Sequence, residues 1–195
     1  MAIITPKNLS ASNITAGTLP SSNLPAGAVL QVKQSVMDGY LHSSGSSYIN
    51  LSDMNVTITP SSANSKMLCT MQVSISATDR YHITKLFRSI GGGSDVQIAK
   101  GNPGSSTNRH LAWMALGTGN RHEAGAGWDT YEQHTTNGMF LDSPNTTSAI
   151  VYKPYVGVYA GHAYTINSSH YNSGAGNDAW QSAPISNFVV MEIAG

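Results

Sequence analysis

The stretch KMLCTMQVSIS, residues 66–76, decides the fold class. Met67, Cys69, Met71, Val73 and Ile75 fall on one side of an extended chain, and Thr70, Gln72, Ser74 and Ser76 fall on the other, with Leu68 the one exception. Strict alternation of this kind is the pattern of a half-buried strand. Just before it, Val56 and Ile58 alternate in NVTITP and stop at Pro60. The turn residues SSANS (61–65) then predict that the two runs form a hairpin.

Working outward, the same reading continues on both sides. Strands are expected over 28–36, 81–90, 95–100, 109–116, 137–142, 147–160, 163–167 and 185–194, with glycine or proline at nearly every boundary, as in IGGGSD (90–95). No convincing amphipathic helix of ten or more residues interrupts them. The expected fold is all-β, an antiparallel jelly-roll-like β-sandwich head over 28–195. Two stretches break the pattern: 117–136 and 168–184 are long, polar and glycine-rich, and each carries aromatic residues.

Composition bounds the rest. Charged residues are 10% of the 195, and ten basic residues balance ten acidic ones, so no basic field is present to hold a phosphate backbone and nucleic-acid binding is not expected. The 40% of apolar residues, gathered in runs, argue for a packed core despite the low charge. The single cysteine, Cys69, rules out an intramolecular disulfide framework and reads as an inert buried thiol. MAIITPKNLS has no apolar run of signal-peptide length, and no segment approaches the roughly 18 apolar residues that span a bilayer. Folding in a cytoplasm without membrane insertion is therefore expected.

Residues 8–32 read in fives: NLSAS, NITAG, TLPSS, NLPAG, AVLQV. One aliphatic residue recurs at the second place of each unit, giving Leu9, Ile14, Leu19, Leu24 and Val29. Five matches neither the helical nor the strand period, and Pro20 and Pro25 forbid a helix. A single coil of such repeats buries almost nothing alone, so the stripe needs cover from elsewhere. Other copies of the chain are the simplest source, and residues 1–27 are expected to be an extended assembly or anchoring arm of a homotrimer. A plain linker and a peptide docked in a groove of a larger particle are the alternatives.

With the arm read this way, the sequence resembles tail-fibre and other appendage proteins of bacteriophages, notably those of marine and cyanobacterial phages. The resemblance rests on three blocks: the arm with its first strand (8–36), ITPSSANSKMLCTMQVSIS (58–76), and LDSPNTTSAIVYKPYVGV with the closing FVVMEIAG (141–158 and 188–195). It implies a homotrimeric virion component assembled in the host bacterial cytoplasm, and it transfers no catalytic or ligand residue. Fibres of this kind usually begin with a tail-docking domain, whereas here the arm comes first. A capsid-decorating knob anchored to the shell by the arm is therefore the alternative.

No enzyme motif is complete in the sequence. His122-Glu123 opens like a zinc-protease motif, but Ala126 stands where its second histidine is required. Gly91-Gly92-Gly93 lacks the lysine of a phosphate loop. His110, His122 and His134 recur every twelve residues, wider than metal-ligand pairs usually sit, and read as scattered surface histidines, so no metal and no cofactor is expected. Asp129 and Glu132 beside Trp128 could describe a glycosidase, and a polysaccharide depolymerase is the least favoured reading. The favoured site is a non-catalytic one for host lipopolysaccharide or another surface glycan. Trp128, Tyr131, Tyr171 and Trp180 would stack on sugar faces while Asp129, Asn172 and Asp178 bind hydroxyls.

Overall fold

The computed structural model describes residues 24–44, 47–77, 81–105, 109–117, 133–158, 163–169 and 182–195. These residues build two antiparallel sheets of six strands each. In chain order the strands are β1 (Val29–Met37), β2 (Leu41–Ser43), β3 (Ile49–Asn50), β4 (Val56–Ile58), β5 (Lys66–Ala77) and β6 (Tyr81–Ile90). There follow β7 (Val96–Ile98), β8 (Met114–Gly117), β9 (His134–Asp142), β10 (Ile150–Val158), β11 (Tyr164–Ile166) and β12 (Ser186–Ile193). The first sheet centres on β5, with β9 on one edge and β12 and β11 sharing the other, and β1 and β2 complete it outside those two. The second sheet centres on β10 and β6, flanked by β3 and β4 on one side and β7 and β8 on the other. The chain crosses repeatedly from one sheet to the other, and the result is the expected jelly-roll-like sandwich.

The core is the alternation made physical. Met67, Cys69, Met71, Val73 and Ile75 of β5 are all buried, and they meet Leu86, Ile150, Tyr152 and Val156 of the opposite sheet. Phe188 and Val190 of β12 are fully buried in the same cluster, and Trp113 meets the Phe188 ring edge-on at 6.2 Å. One polar node crosses this interior. Asp142 at the end of β9 takes both the Arg88 guanidinium of β6 and the Tyr152 hydroxyl of β10, the latter at 2.7 Å. A buried carboxylate is tolerable only when so paired. Cys69 lies beside it, and burial together with the Asp142 charge pushes its thiol well up, as expected of an inert cysteine.

Two expectations change. The hairpin between 56–58 and 66–76 does not form: β4 pairs with β10 and β5 with β9, β11 and β12, so the two strands lie in different sheets. Both have one apolar face, and in opposite sheets these faces meet across the core, with Val56 and Ile58 buried in the same cluster as Met67 and Cys69. The turn between them is held by buried Glu192 of β12, which accepts from the Ser61 backbone N–H (2.7 Å), the Ser61 hydroxyl (2.6 Å) and Gln31. Burial raises this carboxyl, but the hydrogen bonds from Ser61 and Gln31 outweigh it and hold Glu192 below the usual range. The run 109–116 is strand only at its end, from Met114.

Pro154 stands in the middle of central strand β10, where proline is normally excluded. Its carbonyl accepts from Leu51 N–H on the edge where β3 and β4 leave a gap, filled by the single 3₁₀ turn Ser52–Met54. The missing N–H faces that same gap, so no ladder bond is lost.

Candidate functional site

The sandwich is polar from end to end. Chain entry and exit share one end: Gly27 N–H donates to Ala194 C=O and Ala194 N–H to Ala28 C=O, both at 2.8 Å, beside the Glu192 node. Short connections lie there too, including 91–95, where Gly91 and Gly92 take the left-handed backbone that the turn needs (φ 58° and 78°). The opposite end is where the chain leaves for its long excursions. Ala77 and Tyr81 flank 78–80, Gly117 and Gln133 flank 118–132, and Val158 and Ala163 flank 159–162. The register brings these flanks together: Tyr164 opposes Ala77, Tyr81 opposes Gly117, and His134 opposes Ile75.

Two polar clusters fix the roots of the long loops. Asn167, just after β11, is in the left-handed region (φ 58°), which asparagine tolerates better than most residues. Its side-chain amide donates to Met37 C=O at 2.7 Å and Gly39 C=O at 3.0 Å, and its oxygen accepts from the Ser186 hydroxyl at 2.6 Å. Ser186 in turn accepts from Ser74 N–H. One side chain thus pins the start of 170–181, the β1–β2 turn and the start of β12. The second cluster joins the residues that follow 118–132 and 170–181. Gln133 donates to Ser182 C=O at 3.2 Å and accepts from the Ser182 hydroxyl at 2.6 Å. The segments 118–132 and 170–181 therefore end side by side, although 49 residues separate Gln133 from Ser182.

Beneath this junction sits His82 of β6, 4% exposed, with neither ring nitrogen hydrogen-bonded. The His134 ring lies 6.1 Å away. Burial, assisted by repulsion from His134, holds the His82 imidazole at about 4, so it is neutral at physiological pH.

The seven residues expected to bind glycan, Trp128, Asp129, Tyr131, Tyr171, Asn172, Asp178 and Trp180, all lie outside the described residues, as do His122, Glu123 and Glu132. What the structure supplies is the frame they hang from. Of the arm stripe, Leu9, Ile14 and Leu19 lie outside too. Leu24 is half-buried in a depression with Leu30, Ser61 and Ala194, and Val29 is 52% exposed. His110 and His134 do not share a site: His110 Nδ1 is 3.3 Å from the Tyr48 hydroxyl, while His134 neighbours His82. Among the described residues no group of three or more His, Cys, Asp or Glu side chains could hold a metal ion, and no helix is long and apolar enough to cross a membrane. Sequence reasoning missed Asn167, Gln133 and Ser182. Asn167-Ser168-Ser169 does carry turn chemistry, but nothing local announces the partners of the other two.

Fold and frame together define an antiparallel β-sandwich domain in which the residues flanking 78–80, 118–132, 159–162 and 170–181 share one end. No protein-family model matches the sequence, and no curated protein matches it. Similar solved structures are of infectious bursal disease virus. The Gt strain gives 12% identity and a TM-score of 0.42 over 87% of this chain and 39% of the viral one. The Gx strain gives 10%, 0.37, 84% and 40% respectively. The VP2 subviral particle of the same virus gives 10%, 0.35, 85% and 38%. The chain spans about two-fifths of the length of these viral chains.

Proposed function

We propose that the protein is a structural component of a bacteriophage virion, a non-enzymatic appendage whose sandwich head presents its loop end to a glycan on the host surface. The arm joins three copies or anchors them to the particle, at the opposite end of each head. The observation that supports this reading most is the polarity of the head. Entry, exit and tight turns occupy one end, while the roots of 118–132 and 170–181 are bonded together at the other. A protein held by its base and read at its tip needs that arrangement. Aromatic residues from both loops would then form one platform, and weak sites on three heads would gain avidity through effective concentration.

The test is retention of the full chain on immobilised bacterial lipopolysaccharides and capsular polysaccharides. Retention by at least one of them is expected, weakened tenfold or more by Trp128→Ala with Trp180→Ala and accompanied by no release of reducing ends. Retention that the double substitution leaves intact defeats the proposed platform. Sugar release abolished by Asp129→Ala or Glu132→Ala would instead make the protein a depolymerase.

A further inference from the structure

We infer that the outer face of the first sheet, across β1, β12, β5 and β9, is the surface against which a second copy of this chain packs. The register aligns three rows across these four strands. Val32, Met191, Leu68 and Leu141 stand in line in the first, with no polar side chain among them. The second runs Gln34, Val189, Thr70, Met139. The third carries Val36 and then three amides, Asn187, Gln72 and Asn137. None of these three rows contains a charge; exposed Lys66, in register with Ile193, is the charge one row beyond them on the same face. Met139 is 72% exposed, Val32 54%, Leu141 48% and Val36 45%.

Size and position commit this face to a copy of the chain. Three rows over four strands cover on the order of 400 Å², taking about 4.8 Å between strands and 6.8 Å between rows with a side-chain margin. Seven of the twelve positions are apolar, and the whole is about half of what one partner contributes to a standard interface. A contact of this size needs a second attachment, and the arm is placed to give it. Residues 24–28 run directly into β1, the edge strand of this sheet and not of the other. Copies joined through their arms, as the proposed function has it, therefore bring this sheet next to its counterpart. Cross-strand amides can pair with amides of a neighbour, and the apolar row excludes water beside them.

The experiment is a concentration series of the full chain by sedimentation equilibrium. Met139→Lys with Leu141→Lys is expected to raise the dissociation constant at least tenfold, and Val96→Lys, at an exposed site of the second sheet, to leave it unchanged. Because all three sites are exposed, melting temperatures should match at concentrations where every variant is monomeric; as a check independent of mutation, amide exchange in β9 of the wild type should slow with concentration. An assembled wild type whose dissociation constant ignores the double lysine substitution overturns the inference, as does a wild type that stays monomeric. Ile14→Asp with Leu19→Asp separates this from the arm reading. Dissociation by those changes but not by the lysines leaves the arm and removes the face, and the reverse leaves the face and removes the arm.

Discussion

On the outer face of β6 and β10, side chains find partners within the chain. Phe87 packs on Tyr155 with ring centroids 4.7 Å apart, the Lys85 ammonium stands 3.6 Å over the Tyr48 ring, and Lys153 pairs with Asp95 at 2.6 Å. Gly157 is needed beside them, since a Cβ there would come within 2.8 Å of the Tyr48 ring. Across the sandwich, the outer face of β5 and β9 holds Met139 and Leu141 out to solvent in rows that carry no charge, with Lys66 one row beyond. Both faces belong to one fold and back on one core. The difference teaches that the outward side chains of the second sheet belong to the packing of the fold, as Gly157 against Tyr48 shows, whereas Met139 and Leu141 project to solvent. The projecting face is the one inferred above to meet a second copy.

Breaking the frame behind both faces should give the largest effect. Asp142→Ala strands the Arg88 guanidinium and the Tyr152 hydroxyl inside the sandwich. It should lower the unfolding free energy in urea by about 3 kcal/mol, in the range for removing one partner of a largely buried pair. Both faces then lose their support together. If the loss is negligible, the node is not what joins the sheets.

Acid should act nearly as strongly, from the loop end. His82 is held near 4 in the folded chain against about 6.5 unfolded, so between those values the unfolded state binds more protons. Stability is therefore full above pH 6.5 and falls as pH is lowered towards 4, by up to roughly 3 kcal/mol at 1.4 kcal/mol per pH unit. Melting temperature followed from pH 7 to pH 4 should show the fall, and His82→Met should flatten it. An equal slope in the variant would assign the acid sensitivity to other groups.

Smaller effects sharpen the contrast between faces. Tyr48→Ala removes the ring under Lys85 and against Gly157, and about 1–2 kcal/mol of stability should go with it, with no change in assembly. Met139→Lys should do the opposite. At 72% exposure it should change the unfolding free energy of the single chain by less than about 0.5 kcal/mol, while weakening association. A Met139→Lys variant as destabilised as Tyr48→Ala would mean that the two faces are not different in kind.

Much of this was written locally in the chain. Tyr81–Ile90 and Lys66–Ala77 are strands over nearly the stretch that alternation predicts, because period-2 patterning needs only neighbouring residues to be seen. Leu41–Ser43 and Ile49–Asn50 were not legible, being too short to show a period, and they exist through the strands they pair with. The mispaired hairpin has the same origin: a turn-like 61–65 is visible in sequence, but whether it returns the chain to the same sheet or to the opposite one is not.

The sequence by itself determined that the protein is all-β, which faces of its main strands are apolar, and that an aliphatic stripe precedes them. Only the tertiary structure decided which strands are neighbours. Val32, Leu68, Leu141 and Met191 fall in one row, and Gln133 meets Ser182, because antiparallel registers across many residues put them there. No local pattern encodes such a row, since each strand contributes one residue to it and the alignment depends on the packing of the whole sandwich.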